Sequence, residues 1–383
     1  MEFKRSVLKG LLGFMLVLTV LEGGCAVSKK RARLVPRESG DTLVEITDPK
    51  LFPNFQDDYG RDSLLRAVDN GLEYFKRVKV NPYGFHMAGF SHPNLENTLR
   101  TFRDGLVRCK NTDDVNAFIA ANFRVFQAIG KDYEGQVHFT GYGTPIYDGS
   151  LTPTAVYRYP LYKLPADFKK PYHTRREIEE GNLLKGNEIA YLKSKLDVYL
   201  IHVQGSGQIR LPSGEKAYVG YAADSGHKYN SIGRMLVQEG KIPEEDLTLS
   251  TLISYFDQHP NELDSYLKRN DRYILFKQVN NAVPYGSIGV PVTAMRSIAT
   301  DKKVFPAGGL AFAVIEPKQS KKKTGWFRKK ETIEKSFFVL DQDTGSAIQT
   351  PARADIYFGI GDRAMHEAGE INTFGQLYYL LKR

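Results

Sequence analysis

Asp343 and Asp355 are the residues of this chain best placed to do acid–base chemistry. Asp343 opens Asp343-Thr344-Gly345-Ser346-Ala347-Ile348, with two residues between it and the β-rich run Phe337-Phe338-Val339-Leu340. Asp355 stands twelve residues later, opening Asp355-Ile356-Tyr357-Phe358-Gly359. Carboxylates at strand ends, with glycines that let backbone or substrate come close, are typical of a catalytic or ligand site. Asp-Thr-Gly is also ordinary turn chemistry, and spacing alone leaves both readings open.

Other chemistries find less support. The eight histidines are scattered, and no His/Cys/Asp cluster has zinc spacing. His202 falls in an apolar run read as a strand, Val198 to Val203, and counts as a packed residue. His227, in Gly226-His227-Lys228-Tyr229, reads as a polar loop residue, with ligand contact as the alternative. Gly205-Ser206-Gly207 lacks the surroundings of a nucleophile elbow or a phosphate loop, yet its small residues would let a bulky ligand approach the backbone. Asp343-Thr344-Gly345-Ser346 also matches the aspartic-protease signature. A pepsin-like enzyme needs two copies and the chain has one; a retroviral-type enzyme needs more chain than the 40 residues after Asp343.

The 383 residues suffice for two or three domains, and 42% hydrophobic with 25% charged residues is ordinary for a folded body. The net charge of +9 is local: residues 318–335 carry +6, residues 29–33 carry +4 and residues 1–24 carry +1, leaving −2 for the rest. That excludes a broad nucleic-acid surface and fits contact with an anionic polymer or membrane. Cys25 and Cys109 alone make no disulfide framework.

Periodicity predicts helices over residues 60–80, Asn94 to Leu106 and Thr112 to Ala128, then strands from Gln136. Thr140-Gly141-Tyr142-Gly143-Thr144-Pro145 reads as a loop. Further helices are expected at Arg175 to Gly181, Ser231 to Glu239, Thr251 to His259, Pro260 to Lys268 and Asp362 to Glu370. Strands are expected at Ala217 to Ala222, Ile274 to Phe276, Leu310 to Ile315, Phe337 to Leu340, Ile356 to Phe358 and Leu377 to Leu381, which suggests a C-terminal β-barrel. The Lys-rich stretch 318–335 reads as a solvated hairpin loop.

Lys4, Arg5 and Lys9 precede an apolar run from Gly10 to Val20, an export signal too short for a comfortable membrane span. Gly23-Gly24-Cys25 then resembles a bacterial lipoprotein cleavage site, with Cys25 lipidated; Glu22 departs from the usual aliphatic residue. Ala26 after the cysteine leans toward the periplasmic face of the outer membrane.

Several stretches together resemble the MltA family of membrane-bound lytic murein transglycosylases. They are Thr140 to Pro145; Pro171-Tyr172-His173-Thr174-Arg175-Arg176-Glu177-Ile178 with Glu188 to Leu192; His202-Val203-Gln204-Gly205-Ser206-Gly207; Gly220-Tyr221-Ala222 with Tyr229 to Arg234; and the two aspartate motifs, Asp343 to Ile348 and Arg353 to Gly359. The tail is similar to a 3D domain, whose three aspartates correspond to Asp301, Asp343 and Asp355. Ser346 stands where the family often has a second glycine, and Gln349-Thr350-Pro351 replaces a common Lys-Gly step.

The resemblance implies a mainly β fold with helices (α+β): a double-psi β-barrel with a second, smaller β-domain inserted and a glycan groove between them. It divides the chain into a signal peptide (1–24), an anchor and linker (25–43), a first barrel portion (44–144), the insert (145–247) and a second barrel portion (248–383). It implies non-hydrolytic cleavage of the β-1,4 MurNAc–GlcNAc bond of peptidoglycan, giving 1,6-anhydromuramoyl ends. Asp355 is the implied acid and then base, with Asp343 and Asp301 as supporting carboxylates able to raise its pKa. Tyr142, Thr144, Gln204, Gly205, Ser206, Tyr221, Gly345 and Ser346 are the implied glycan contacts. No cofactor, metal or nucleic acid is implied; the partners are glycan strands, the membrane through the lipid anchor, and other cell-wall enzymes, for a monomer. A peptidoglycan-binding lipoprotein without catalysis and a murein hydrolase remain the alternatives.

Overall fold

The computed structural model describes residues 33–280, 282–315, 334–345 and 347–383. Cys25 with its leader, residues 318–333 of the Lys-rich stretch, and Ser346 lie outside the described residues.

The chain begins with β1 (Leu43–Ile46) and runs through α1 (Arg61–Arg77), α2 (His92–Leu106), α3 (Thr112–Asn122), β2 (Phe123–Ala128) and β3 (Val137–Thr144). It continues through β4 (Ile146–Ser150), β5 (Tyr159–Tyr162), α4 (Arg175–Gly181), β6 (Glu188–Leu192), α5 (Lys195–Gln204), β7 (Ser206–Arg210) and β8 (Lys216–Asp224). Next come α6 (Ile232–Gln238), α7 (Leu249–Gln258), α8 (Leu263–Leu267) and β9 (Ile274–Gln278). The last part holds β10 (Ser297–Ala299), β11 (Leu310–Ile315), β12 (Lys335–Asp343), β13 (Arg353–Ile360), α9 (Asp362–Glu370) and β14 (Asn372–Lys382).

Six strands close a barrel in the order β14-β11-β12-β10-β13-β3, because β3 pairs back onto β14; β2 and β1 extend it beyond β14. Two pairs, β10 with β12 and β3 with β13, are parallel among antiparallel neighbours. This is the expected double-psi barrel in an α+β chain, and β4 to β9 form the second sheet, in the order β5-β6-β4-β7-β8-β9. The chain leaves the barrel after Thr144 and returns only after β9, whose Phe276 is in register with Tyr221 of β8. The second sheet therefore takes in residues beyond 247, where the sequence reading ends the insert.

The barrel core is aromatic: the Phe312 ring lies 4.8 Å from that of Phe338 and 5.0 Å from that of Phe55. On its outside, α1 turns Leu64, Val68, Leu72 and Phe75 inward and α2 turns Leu95, Leu99, Phe102 and Leu106 inward, the spacing of one helical face. Each such side chain contributes about 1.5–3 kcal/mol by leaving water. Arg296, fully buried, donates to both carboxylate oxygens of Asp57 at 2.6 and 2.8 Å and to the Phe338 carbonyl, tying the segment before α1 to the barrel.

Three local expectations are corrected. The third helix stops at Asn122, and Phe123–Ala128 is a strand in register with β14. Ile119, Phe123 and Phe126 keep helical spacing (i, i+4, i+7), so the local pattern runs the helix on and only strand pairing ends it. Val198 to Val203 belongs to a helix, not a strand: the Ser194 hydroxyl accepts from the Asp197 N–H, and Gly205, at φ +74°, closes it. Its residues from Leu196 to His202 are nearly all buried, so no amphipathic period marks it. Thr140 to Thr144 is strand, not loop.

Candidate active site

The strand β3 positions the site, and its alternation explains the Thr-Gly-Tyr-Gly-Thr sequence. One face carries glycines because α9 packs there. A Cβ on Gly141 would lie 2.7 Å from the Ala368 Cα and 2.8 Å from its carbonyl oxygen; one on Gly143 would lie 3.2 Å from the Gly359 carbonyl oxygen. The other face carries Thr140, Tyr142 and Thr144, as the period of two requires. Thr140 donates to Asp355 Oδ1, and the Tyr142 hydroxyl donates to Asp343 Oδ2 at 2.9 Å. One strand thus holds both aspartates.

Register sets the rest. Ala299 of β10 is paired with Asp343 on one side and with Asp355 on the other, so the two aspartates stand two strands apart. Asp343 is engaged through both oxygens: Oδ1 accepts from the Ser287 and Thr344 N–H groups at 2.9 and 2.8 Å, and Oδ2 from Tyr142. The Ser287 approach depends on Gly286, where a Cβ would lie 2.3 Å from the Gln342 carbonyl oxygen. Asp301 accepts from Lys303 N–H at 3.0 Å and from Thr350 N–H at 3.2 Å. It anchors the loop between β12 and β13 and makes no hydrogen bond to either other aspartate.

Asp355 differs. Its side chain is 17% exposed. Oδ1 accepts from Thr140 and, at 3.3 Å, from the Arg353 guanidinium, whereas Oδ2 has no hydrogen-bond partner among the described residues. Burial pushes its pKa above the ordinary carboxylate value, against the opposing pull of Arg353, Thr140 and His138. Desolvation, not a neighbouring aspartate, is the cause. Burial also raises Asp343, against its three donors, and Tyr142 is raised by burial and by Asp343.

The remaining residues fall into two groups. Gln204, at the end of α5, accepts from the Gly143 N–H through Oε1 at 3.1 Å. The Ser206 and Thr144 hydroxyls are 3.3 Å apart, and Thr144 lies 3.1 Å from the Tyr357 hydroxyl. Thr144 is buried, so it braces the crossing into the second sheet rather than lining a groove. Gly205 takes the left-handed conformation beside Tyr221, whose half-exposed ring is held by a 2.7 Å hydrogen bond from its hydroxyl to Asp224. Asp224 is itself paired with Lys170 and Arg272. Gly345 lies in the loop after β12, where its carbonyl accepts from Ile348.

Residues 138–277 match the MltA specific insert domain, and residues 296–381 match the 3D domain. Membrane-bound lytic murein transglycosylase A of Escherichia coli K12 is 31% identical over 257 residues, covering 67% of this chain and 68% of that protein. The protein of the same name from Vibrio cholerae serotype O1 is 32% identical over 254 residues, 66% of this chain and 67% of that protein. The chain belongs to the membrane-bound lytic murein transglycosylase A (MltA) family. The solved structure of the membrane-bound lytic murein transglycosylase from Agrobacterium tumefaciens superposes with a TM-score of 0.75 at 27% identity, covering 89% of this chain and 98% of that one. Escherichia coli MltA with bound chitohexaose shares the fold, with a TM-score of 0.72 at 24% identity over 92% and 98% of the two chains.

In this MltA-family chain the insert-domain match starts inside β3, on which the chain leaves the barrel, and ends inside β9, which finishes the second sheet. Sequence reasoning missed Arg353 and His138. Arg353 opens the Arg353 to Gly359 motif, and its spacing of two from Asp355 places both on one strand face. Nothing local marked His138, because parallel pairing with β13 alone brings it beside Arg353.

Proposed function

We propose that this chain is a lytic transglycosylase of peptidoglycan in which Asp355 serves first as general acid and then as base. The observation that carries this reading is that Oδ2 of Asp355 has no hydrogen-bond partner among the described residues. Both oxygens of Asp343 and both of Asp301 are engaged by the protein. Two-carboxylate glycosidases divide acid and base or nucleophile between two groups. Here one carboxyl is free to do both.

Asp355, whose protonated form burial favours, gives its Oδ2 proton to the glycosidic oxygen as the muramyl C1–O4 bond breaks. The muramyl 6-hydroxyl oxygen then bonds to C1, and its proton passes to the Oδ2 carboxylate. A GlcNAc 4-hydroxyl and a 1,6-anhydromuramoyl end result, with no water consumed and the acid restored. Asp343 holds the Tyr142 ring and the Ser287 loop beside this point. Gln204, Ser206 and Tyr221 are offered as glycan contacts where β3 crosses into the insert, with Tyr221 a platform on which a sugar face can stack. We place the enzyme at the periplasmic face of the outer membrane, held by lipid on Cys25.

Mass spectrometry of murein sacculi digested with residues 26–383 tests the reading, beside an Asp355→Asn control. Anhydro-muropeptides from the unsubstituted chain alone are expected. Reducing muropeptides would make it a hydrolase, and unchanged sacculi would make it a wall-binding protein.

A further inference from the structure

The face of the sheet that carries Asp355 also carries an ordered row of side chains behind it. Arg353 of β13, His138 of β3 and Phe374 of β14 are lateral neighbours, and Asp355, Thr140 and Asn372 form the next row. One Arg353 nitrogen donates to His138 Nδ1 at 2.9 Å; the other donates to Thr140 Oγ1 at 3.1 Å and to Asp355 Oδ1 at 3.3 Å. Arginine is donor only, so Nδ1 of His138 must be the acceptor and its proton must sit on Nε2. Nε2 then donates to Asn372 Oδ1 at 2.6 Å, and the ring stacks on Phe374 with centroids 4.9 Å apart. Every bond has a fixed direction: from Arg353 one branch runs through His138 to Asn372 Oδ1, and the other reaches Asp355 Oδ1 both directly and through Thr140.

We propose that Arg353, steered by neutral His138, is a positioning residue that saturates Oδ1 of Asp355 and so commits Oδ2 to proton transfer. This rests on the reading of Asp355 given above. The guanidinium also faces the carboxylate formed once the proton has left, and supports it until the 6-hydroxyl proton arrives. Protonated His138 has no acceptor left for Arg353 and sets a second cation beside it, so the arm disengages in acid. The titratable and charged groups bearing on Asp355 are Arg353, His138 and Tyr142; those bearing on His138 are Arg353, Asp355 and Arg234 of α6.

The test measures kcat, KM and their pH profiles on purified murein for Arg353→Gln, Arg353→Lys and His138→Gln, with Asp355→Asn alongside. In Arg353→Gln, kcat falls about 10–100-fold, the scale of a misplaced reacting group, with KM within about threefold. Its high-pH limb moves to higher pH, because the cation that favours ionised Asp355 is gone. Arg353→Lys keeps that limb in place and recovers part of kcat. His138→Gln retains an acceptor for Arg353 and loses the fall in activity on the acid side. A wild-type limb in folded Arg353→Gln, or a wild-type acid-side fall in His138→Gln, overturns the proposal while a dead Asp355→Asn leaves the underlying reading intact. If Arg353→Gln does not fold, the Lys and His138 variants decide alone. Turnover by Asp355→Asn removes the underlying reading and this proposal with it.

Discussion

Asp355→Asn separates the chemistry of this site from its architecture. Asparagine has the shape of aspartate, and its carbonyl oxygen can still accept from Thr140 and Arg353 at the Oδ1 position. The amide that replaces Oδ2 cannot give up a proton and take one back. General acid or base assistance is worth roughly 10²–10⁴ in rate. The same carboxyl plays both parts, so a loss of about 10⁴ is expected, some 5.4 kcal/mol at 1.36 kcal/mol per factor of ten. Stability should move the other way. Burial raises the Asp355 pKa above its unfolded value. The native state therefore binds this proton more tightly, and the associated stability is present below the unfolded pKa and is lost as pH rises through the folded one. The uncharged variant escapes that loss. Its Tm should equal or exceed the unsubstituted protein's at pH 7, and the gap should close as the pH falls toward about 4, the ordinary carboxylate range. The assay is quantitative mass spectrometry of anhydro-muropeptides, paired with calorimetry between those limits. More than about 1% of wild-type product from a variant of unreduced Tm would refute the assignment, since even the smallest general-acid effect is about 10².

The other predictions concern the scaffold and the anchor. Gly141→Ala drives a methyl into the backbone of α9 and should lower stability by about 1–3 kcal/mol and murein turnover with it, because Thr140 and Tyr142 flank the clash; an unchanged urea midpoint would contradict this. Lys302→Met leaves the Asp341 carboxyl without its cation in a fully buried setting with Thr300 and Tyr379, a loss of about 3–5 kcal/mol, while adding Asp341→Asn should restore part of it in the same denaturation series. Cys25→Ala should abolish incorporation of radiolabelled palmitate and release the protein from membranes; retained label would place the acyl chain elsewhere.

Local pattern carried much of this protein. The helices at Arg175–Gly181 and Asp362–Glu370 lie where spacing predicts them, since Thr174 and Glu177 form a capping box and Ala364, Met365 and Ala368 share one face. The strands holding Asp343 and Asp355 were legible for the same reason: short β-branched and aromatic runs ended by turn residues. Reading fared worse where local preference is silent. The α5 helix is apolar on nearly every side, and the Phe123–Ala128 run continues the helical spacing of α3. Glycines in β3 look like a loop until α9 is seen against them. Residue types and short spacings thus determined which groups could carry a proton. Tertiary structure alone decided which of the three aspartates keeps an oxygen free of partners among the described residues. That choice rests on Thr140, Tyr142, Ser287 and Thr350, which meet their carboxylates only through strand register and loop return, contacts that no local preference encodes.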